Sequence, residues 1–489
     1  MNGGMICLPV VAGSNREALA RMAEASAEPA DLHELRLDLI RERPDVETLV
    51  AASTRPVIAT CRSEGQGGGF RDGPAERLAI LERAVLAGAA FVDAEEDVVC
   101  GLKRREGTRI VASWHDFAGT PADLSERVGR LAALPGDWIK FAVTPADQDD
   151  NLRVFDAVAA SPKPAIGIAM GEVGLPSRVL GPAHGSMVTF GSLSRGLESA
   201  PGQPTAAELA GLYRVRELTR NSAVYGLLGD PVAQSSGYVC HNRAFALTGI
   251  DAVYIPFLSR NPALFRDVIP GKLPLRGLSV TLPHKVAALE LASACSESAR
   301  LAGAANTLCR RDGLWFADNT DFSAVVETVR EKAVRLALTL AGAPVLVLGS
   351  GGAARGIGAA FASLGARVTL AGRNAARTAE LAGKMGWETA DWGETGGGWL
   401  AVANATSVGM VPNVGETPFP AEGWRPGMIA FDAVYNPRRT RFLREAERAG
   451  AATVDGMEMF VSQARGQFAL WTGKKMPMEC FGPDSAGGL

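Results

Sequence analysis

The sequence predicts an α/β protein in two parts, a (β/α)8 barrel at the N-terminus and a second α/β half after it. Two patterns predict this architecture. From Met5 to about Ser192, short apolar runs alternate with longer stretches of helical period, as βα units around a parallel sheet do. From Pro344 onward, an apolar run leads into a glycine-rich turn, a helix of small residues and a second apolar run, which together predict a βαβ unit.

The composition is that of an ordinary globular protein. The chain has 489 residues, with 50 lysines and arginines against 53 aspartates and glutamates, a net charge of −3, and 47% hydrophobic residues. This length predicts about two to four domains, and the composition excludes disorder over any large part. Because no lysine- or arginine-rich run occurs, we expect small-molecule partners rather than nucleic acid or a membrane surface.

Cysteine usage and the N-terminus predict a reduced, cytoplasmic protein. The seven cysteines are scattered and form no Cys-x-x-Cys pair, so neither a disulfide framework nor a zinc ribbon is indicated. The first charge is Arg16, so the charged start of a signal peptide is missing. The uncharged run 336–354 approaches the length of a membrane span, but Pro344 and three glycines interrupt it, and we interpret it as core.

Eight strand candidates precede residue 191, which fits a (β/α)8 barrel; the alternative is an open doubly wound sheet. The candidates are 6–11, 32–39, 56–61, 91–95, 109–114, 138–143, 164–170 and 187–190. Helical stretches such as 75–87 and 122–134 lie between them. Polar residues recur where the strands end, and the carboxyl ends of barrel strands form one face, so we expect these side chains to meet around one pocket. They are Glu34, Arg36 and Asp38 on the second strand, Arg62 after the third, His115 after the fifth and Lys140 on the sixth.

Lys140 and His115 are the candidates for chemistry in this pocket. Lys140 lies within an apolar run, where a buried charge is costly unless it is used. A lysine forms a Schiff base with a ketone only as the free amine, which costs an ordinary lysine about 4.6 kcal/mol at pH 7; we expect cationic neighbours such as Arg36, Arg62 or Arg178 to favour the neutral form. His115 would give general acid–base help. Taken singly, Lys140 is more simply interpreted as a lysine whose amine extends to solvent at a strand end. His115 is then a packed histidine.

A helical stretch is predicted at 206–219, and the second half begins after a boundary that we place near Asn221. Its strongest motif is Gly349-Ser-Gly-Gly-Ala-Ala-Arg355, because a glycine turn between a strand and a helix lets backbone N–H groups approach a pyrophosphate. Arg373 stands just after the next strand, where NAD enzymes carry an acidic residue. An arginine there would pair with a 2′-phosphate, so NADP is the expected cofactor; a tight turn with a surface arginine is the alternative.

Lys285 and Asp321 form a possible acid–base pair in the second half. They occur in Val280-Thr-Leu-Pro-His-Lys285 and Asp318-Asn-Thr-Asp321, and both follow strand-like runs. Reducing a carbonyl needs a proton as well as a hydride, and such a pair would supply the proton. From composition alone, each residue is equally well interpreted as a charged, solvated loop residue.

Two ordered sets of motifs carry a family resemblance. Those of the first half are Glu34-Leu-Arg-Leu-Asp38, Arg62 with Gln66-Gly-Gly68, Ser113-Trp-His-Asp-Phe117, Ile139-Lys140, Met170-Gly171 with Ser177-Arg178, Thr189-Phe190 and Ser199-Ala-Pro-Gly-Gln203. With them, residues 1–220 resemble type I 3-dehydroquinate dehydratases. Those of the second half are Gly229-Asp-Pro231, His241-Asn242, Val280-Thr281 with Lys285, Gly303-Ala-Ala-Asn-Thr307, Asn319-Thr-Asp321, the Gly349 loop, Asn404-Ala-Thr-Ser-Val-Gly-Met410, Tyr435-Asn-Pro437, and Asp455-Gly-Met457 with Gln463-Ala464. With them, residues 223–482 resemble shikimate dehydrogenases.

The resemblance implies a bifunctional enzyme of the shikimate pathway. The barrel, 1–220, would be followed by a two-lobed shikimate dehydrogenase-like unit: a substrate lobe, 221–330, a Rossmann NADP lobe, 331–455, and a C-terminal helix, 456–489, that returns to the substrate lobe. The barrel would dehydrate 3-dehydroquinate, and the second unit would reduce the product, 3-dehydroshikimate, with NADPH. No metal would be required.

Residue roles also follow from the resemblance. Lys140 would form the Schiff base on the C3 ketone, and His115 would remove the C2 proton and help the C1 hydroxyl leave. Lys285 and Asp321 would manage the proton of the reduction. Substrate-binding residues would be Glu34, Arg36, Arg62, Arg178, Ser199 and Gln203 in the barrel, with Arg178 on the carboxylate, and Ser235, Thr281, Asn306, Tyr435 and Gln463 in the second unit. Cofactor-binding residues would be Gly349, Gly351, Gly352, Ala353, Arg373, Thr406 and Gly456.

Departures from the family pattern leave alternatives open. Gln66 stands where many dehydratases have a glutamate, with Glu64 nearby, and neither is assigned a role. The dehydrogenase motif Ser-x-Ser-Pro becomes Ser235-Ser-Gly-Tyr238, which removes one hydroxyl and makes room near C1, where quinate carries an extra hydroxyl. A quinate dehydrogenase is therefore the alternative for the second half. A non-catalytic, metabolite-sensing regulator is the remote alternative, since all four catalytic candidates are present.

Overall fold

The protein is described by a computed structural model for residues 4–233, 235–394, 396 and 398–482. The chain divides into two compact units, Met1–Gly226 with Gly249–Leu275, and Leu227–Thr248 with Arg276–Leu489. Asn221, where the sequence places a boundary, lies within the first of these units.

The predicted N-terminal barrel is confirmed. Its strands are β1 (Met5–Val10), β2 (Leu32–Arg36), β3 (Val57–Thr60), β4 (Phe91–Glu95), β5 (Arg109–Asp116), β6 (Trp138–Val143), β7 (Ala165–Ala169) and β8 (Val188–Phe190). They are hydrogen-bonded in the order β7-β6-β5-β4-β3-β2-β1-β8, and the register is parallel throughout. The amide of Met187, just before β8, donates to the carbonyl of Ala165 on β7, so the barrel is nearly closed.

Strand alternation decides which side chains enter the barrel. Along β6, Ile139 and Phe141 pack outward against the helix layer, whereas Trp138 and Ala142 belong to the inner core. Because successive side chains of a strand point to opposite faces, Lys140 belongs with the inward set. The apolar pattern of β6 therefore places one amine inside the barrel.

Helices on the outside of the barrel bury its outer core. They are α1 (Asn15–Ala25), α2 (Val46–Ala52), α3 (Pro74–Leu86), α4 (Leu124–Ala133), α5 (Gln148–Ala160) and α6 (Leu175–Leu180). The predicted helical stretch 206–219 is helical only in its first half, 206–212, which includes a short π-helix at Glu208–Leu212. The backbone of Arg214 has φ 53°, which is incompatible with continuing the helix.

A second, six-stranded sheet follows the barrel. Its strands are β9 (Ala223–Gly229), β10 (Ala252–Leu258), β11 (Leu275–Val280), β12 (Ala294–Cys295), β13 (Thr307–Arg311) and β14 (Leu314–Asp318), in the order β10-β9-β11-β13-β14-β12. Its helices are α7 (Gly237–Thr248), α8 (Leu264–Asp267), α9 (Lys285–Leu291), α10 (Glu297–Ala302) and α11 (Thr320–Arg335).

The third sheet is the predicted Rossmann domain. Its strands are β15 (Pro344–Leu348), β16 (Arg367–Ala371), β17 (Glu388–Ala390), β18 (Ala401–Asn404), β19 (Ile429–Asp432) and β20 (Ala452–Val454), in the parallel order β17-β16-β15-β18-β19-β20. The strand order reverses at β15, as in doubly wound nucleotide-binding sheets. Its helices are α12 (Gly352–Ser363), α13 (Ala375–Met385) and α14 (Arg441–Arg448). The helix α15 (Gly456–Thr472) follows β20.

The C-terminal helix α15 packs along α11, and its far end reaches the second sheet. The indole of Trp471 donates to the carbonyl of Leu308, and the amide of Gln467 bridges Ser279 and Asn306. Among the described residues, no helix has the combination of length and apolar character that crossing a membrane requires.

Candidate active sites

A cavity of about 230 Å³ lies at the carboxyl ends of the barrel strands. All of the barrel residues that the sequence predicts for catalysis or substrate binding line it, although they come from different strands and loops. They are Glu34, Arg36, Arg62, His115, Lys140, Arg178, Ser199 and Gln203. Asp38 is not among the lining residues, but it positions one of them, because its carboxylate lies 2.8 Å from the guanidinium of Arg36.

Lys140 presents a buried amine to this cavity. Its Nζ lies 3.0 Å from Asp93 Oδ2, 3.2 Å from Glu34 Oε1 and 4.5 Å from the centroid of the Phe190 ring. Only 6% of the residue is exposed to solvent. The sequence led us to expect arginines around this amine, whereas the groups in direct contact with it are two carboxylates and an aromatic face.

Asp93, on β4, is a central residue of the site that the sequence analysis missed. One of its oxygens contacts both Lys140 Nζ and Arg62 Nη2, the latter at 2.8 Å, and the other accepts from the hydroxyl of Ser113. Burial by itself would raise the pKa of Asp93, but the charges of Arg62 and Lys140 outweigh burial and hold that pKa well below its usual range. In the sequence, the role of Asp93 is indicated by the position of its carboxylate within the apolar run 91–95.

Arg62 is fixed by a chain of buried ion pairs. Its guanidinium contacts Asp93 at 2.8 Å and Glu95 at 3.3 Å, and the second oxygen of Glu95 contacts Arg77 at 3.0 Å. A buried guanidinium needs such partners to offset its loss of hydration. The protein itself therefore sets the orientation of Arg62 toward the cavity.

His115 is held by Gln66, whose role the sequence left unassigned. Gln66 Oε1 accepts from the backbone N–H of His115 at 2.9 Å and lies 3.2 Å from its ring Nδ1. Because an amide oxygen only accepts, Nδ1 carries the proton and Nε2 remains the basic nitrogen. Burial and nearby positive charges hold the pKa of His115 well below its usual value, so the ring is neutral at neutral pH. Glu64, in contrast, is exposed and pairs with Arg71.

Arg178 and Gln203 bring unused hydrogen-bond donors to the same cavity. Arg178 is 3% exposed, no described carboxylate pairs with it, and its Nε has no hydrogen-bond partner within the described residues. Burial lowers the pKa of Arg178 to about 10, so the guanidinium is charged at neutral pH. The amide oxygen of Gln203 accepts from Ser199, while its Nε2 also lacks a described partner. An anionic group in the cavity would satisfy these donors.

In the second unit, the structure brings Lys285 and Asp321 together. Lys285 Nζ lies 2.7 Å from Asp321 Oδ2, and the two side chains are 23% and 22% exposed. Lys285 is the first residue of α9, and Asp321 lies in the first turn of α11, where Asn319 caps the helix by accepting from the amide of Phe322. The pair is partly open to solvent, so a substrate or water can reach it.

The other predicted substrate-binding residues of this unit differ in their burial and in the hydrogen bonds that their side chains already make. The side-chain amide of Asn306 is already bonded at both ends, to Thr307 and Thr320, and is buried. The hydroxyl of Ser235 accepts from the amide of Gly237 at 3.3 Å. Thr281 and Gln463 are half-buried.

Tyr435 lines another cavity, of about 380 Å³, in the same unit. Met457 and Phe460 of α15 contribute to its largely apolar wall. Lys285 and Asp321 are not among the residues that line this cavity. Burial raises the pKa of the Tyr435 hydroxyl.

The predicted cofactor residues form an open cradle at the start of α12. Gly349 has φ +130°, and a Cβ on it would lie 3.2 Å from Thr406 Cγ2, whereas a Cβ on Gly351 or Gly352 would meet nothing within 4 Å. The helix N-terminus is thus open to a phosphate group, as dinucleotide binding requires. Ala353, in the first turn of α12, is exposed.

Two further predicted cofactor residues lie outside the first turn of α12. Arg373 is exposed just beyond the end of β16. Gly456 begins α15, and a Cβ there would lie 2.5 Å from the carbonyl oxygen of Val434, so only glycine fits. The residues present fit NADP, whose 2′-phosphate needs a cation where Arg373 stands.

A barrel with a buried amine, followed by a unit with a lysine–aspartate pair and a dinucleotide cradle, defines an enzyme that joins a lyase to a nicotinamide-dependent dehydrogenase. Residues 6–220 match the family model of type I 3-dehydroquinase, residues 227–308 that of the shikimate dehydrogenase substrate binding domain, and residues 456–481 that of the shikimate 5′-dehydrogenase C-terminal domain. The chain belongs to the family of bifunctional 3-dehydroquinate dehydratase/shikimate dehydrogenases, so the resemblance seen in its motifs is confirmed.

Full-length and single-domain relatives agree with this assignment. The chain is 35% identical to the chloroplastic bifunctional 3-dehydroquinate dehydratase/shikimate dehydrogenase of Arabidopsis thaliana, over 98% of this chain and 84% of that protein. It is 28% identical to the shikimate biosynthesis protein AroDE of Chlamydia pneumoniae, over 96% and 95% of the two chains. The shikimate dehydrogenase (NADP(+)) of Moorella thermoacetica is 34% identical over 54% of this chain and 92% of its own length.

Proposed function

We propose that this chain dehydrates 3-dehydroquinate to 3-dehydroshikimate in its barrel and reduces 3-dehydroshikimate to shikimate, with NADPH, in its second half. The observation that carries the first activity is one cavity lined by a buried amine, a neutral imidazole and a guanidinium that lacks a described counter-ion. The observation that carries the second is the Lys285–Asp321 contact in a unit with an open dinucleotide cradle.

In the barrel, Lys140 acts as the nucleophile. Its free amine attacks the C3 carbonyl carbon, the carbonyl oxygen leaves as water, and a C=N bond joins Lys140 to the substrate. His115 Nε2 then takes the C2 proton and returns it to the C1 hydroxyl, which leaves as water. Hydrolysis of the C=N bond releases 3-dehydroshikimate and regenerates the amine, so the net change is the loss of one water.

The remaining lining residues bind and orient the substrate. Arg178 pairs with the carboxylate, because it is the charged donor that no described acid satisfies. The ring is oriented by polar side chains from several strands and loops. These are Glu34, Arg36, Arg62, Ser199 and Gln203.

In the second unit, Lys285 and Asp321 hold and move the proton that accompanies reduction of the C3 carbonyl. A lysine paired with a carboxylate at 2.7 Å and open to solvent is suited to exchange that proton. Substrate hydroxyls and carboxylate would be bound by residues of the same unit. These are Ser235, Thr281, Asn306, Tyr435 and Gln463.

The cradle at the start of α12 would hold the cofactor. NADPH, when bound, supplies the hydride. Gly351, Gly352 and Ala353 would present backbone N–H groups to its pyrophosphate, and Arg373 would pair with the 2′-phosphate. Gly349, whose own N–H donates to the carbonyl of Ala371, would permit the turn, Thr406 lies beside it, and Gly456 would complete the cofactor residues.

A coupled assay and a trapping experiment test the two activities separately. Starting from 3-dehydroquinate and NADPH, the intact chain should form shikimate and consume NADPH. Lys140→Ala should abolish consumption from 3-dehydroquinate but not from added 3-dehydroshikimate, whereas Lys285→Ala should stop consumption from both while 3-dehydroshikimate still accumulates. Borohydride with 3-dehydroquinate should add a covalent mass to Lys140. A chain that gains no such mass would be a regulator or would use other chemistry.

Quinate is the second candidate substrate of the dehydrogenase half. Gly237, the first residue of α7, carries no hydroxyl where the family motif has its second serine, which leaves room beside C1. Steady-state rates with shikimate and quinate decide between the two, and a preference for quinate would overturn the shikimate assignment.

A cytoplasmic location is proposed from the cysteines. All seven lie within the described residues and are free thiols, and five of them are buried. Free thiols fit a reducing compartment. Fractionation of the native source, with detection of the full-length chain, tests this location.

A further inference from the structure

Phe190 turns the face of its ring toward the reactive nitrogen of the barrel. The ring centroid lies 4.5 Å from Lys140 Nζ, and both residues line the same cavity. Phe190 ends β8 within the inner core, and it is 4% exposed. At this distance a cation is attracted by the negative face of an aromatic ring, and the attraction strengthens when water is excluded.

The other contacts of this nitrogen depend on N–H bonds that the reaction removes. In the ammonium form, Nζ carries three hydrogens and can donate to Asp93 and Glu34 together. A protonated Schiff base nitrogen carries one hydrogen, so it can donate to one of the two carboxylates. The ring contact needs no hydrogen and persists when the amine becomes an iminium.

We propose that Phe190 is a catalytic residue of the dehydratase whose ring keeps the Lys140 Schiff base protonated. This inference rests on the proposed Schiff-base function of the barrel. Only the protonated C=N group draws electrons from C2 strongly enough for His115 to remove the C2 proton. An imine nitrogen is a weaker base than an amine, so without support the proton is lost at a lower pH and the reaction stops.

The cation contact also distinguishes Phe190 from the charged neighbours of the nitrogen. The titratable and charged groups around it are Cys7 on β1, Glu34 and Arg36 on β2, Arg62 after β3, Asp93 on β4, His115 on β5 and Arg178 on α6. Each of them changes the field at the nitrogen when it is replaced. Phe190 carries no charge and no proton, so its contribution can be altered while all of these groups stay in place.

Fluorination of the ring is the direct test. Phe190 in the full chain is replaced by 4-fluoro-, 3,5-difluoro- and pentafluorophenylalanine, which progressively remove the negative ring face with little change of shape. The alkaline limit of the dehydratase pH–rate profile should move to lower pH with each step, by about one pH unit in total, as expected for a contact of this class. Borohydride trapping at alkaline pH should fall in the same order. Phe190→Leu should shift the limit at least as far as pentafluorophenylalanine.

Phe141 provides the matched control. It is the next residue along β6 from Lys140, but it is fully buried in the outer core and points away from the cavity. The same fluorinated residues at position 141 should leave the alkaline limit in place.

The outcomes separate this inference from the function on which it rests. If the unmodified chain gains no mass with 3-dehydroquinate and borohydride at any pH, the Schiff-base function itself is wrong. If the adduct forms but the limit does not move across the fluorinated series, or moves only with leucine, the ring acts through its shape and the inference is overturned.

Discussion

The side-chain oxygen of Gln66 lies 2.9 Å from the backbone nitrogen and 3.2 Å from the ring Nδ1 of His115. One neutral acceptor thereby fixes both the position and the tautomer of the imidazole. A glutamate in place of Gln66 would fix the same tautomer and also favour the imidazolium form. The amide leaves His115 a weaker base whose ring is neutral over a wider range of pH.

Gln66→Glu should therefore raise the pKa of His115. The base form is the neutral ring, so activity is lost as the pH falls through that pKa, and the acid limb of the dehydratase kcat/KM profile should move upward by about one pH unit. Gln66→Met serves as the control, because it removes the acceptor without adding charge: it should lower the rate and leave the limb within a few tenths of a unit. An acid limb shared by all three proteins would show that His115 is not the base.

We expect Arg178 to lower the free energy of unfolding of the protein while it improves substrate binding. Its buried guanidinium has no described acid partner, unlike that of Arg77, which is equally buried but paired with Glu95 and Asp97. Arg178→Met should raise the KM for 3-dehydroquinate by about 100-fold and stabilise the fold by about 1 kcal/mol in urea unfolding. Arg77→Met should instead destabilise the fold by about 3 kcal/mol, because it leaves Glu95 short of a counter-charge. Equal losses of stability in the two variants would contradict this assignment.

The strands and helices of the fold could be predicted because their apolar residues recur with a regular period. Alternation along 138–143 puts Lys140 inside the barrel, and parallel strands bring distant residues such as His115 and Arg178 to one end. The βαβ unit around the Gly349 turn likewise follows from a glycine-rich segment between two apolar runs. These inferences need only the period of each segment and the direction of each strand.

The missed parts of the site depend on side-chain partners rather than on period. Asp93 lies in an apolar run, and its significance appears only once Lys140 and Arg62 meet on one of its oxygens. Gln66 contacts His115 from a single turn of 3-10 helix, Glu64–Gln66, which no pattern in the sequence specifies.

Asp93→Asn should weaken the barrel, since it leaves two buried cations with one shared counter-charge fewer. We expect a loss of about 3 kcal/mol in the free energy of unfolding at pH 7. The folded-state pKa of Asp93 is depressed, so its contribution is complete above the unfolded-state value near 3.9 and declines as the pH falls toward the folded-state value. The difference between the two proteins should thus be constant from pH 7 to about pH 5 and shrink below pH 4.

Denaturant titrations at a series of pH values measure this difference directly. Asp137→Asn is a suitable comparison, because Asp137 pairs with Arg104 at a partly exposed site and should contribute less than about 1 kcal/mol. A gap between Asp93→Asn and the unmodified chain that persists unchanged into acid would mean that Asp93 does not carry its charge in the folded state.

Arg373 should determine the choice between NADPH and NADH. It stands exposed just after β16, where a charge-assisted contact with a 2′-phosphate is worth about 10- to 100-fold in affinity. Arg373→Asp should therefore raise the KM for NADPH by that factor and change the KM for NADH much less. Arg367 is the matched control, because it is exposed at the opposite end of the same strand, and Arg367→Asp changes the net charge equally. The dehydratase rate of each variant reports on folding of the chain. Equal effects of the two substitutions would assign cofactor preference to the overall field rather than to Arg373.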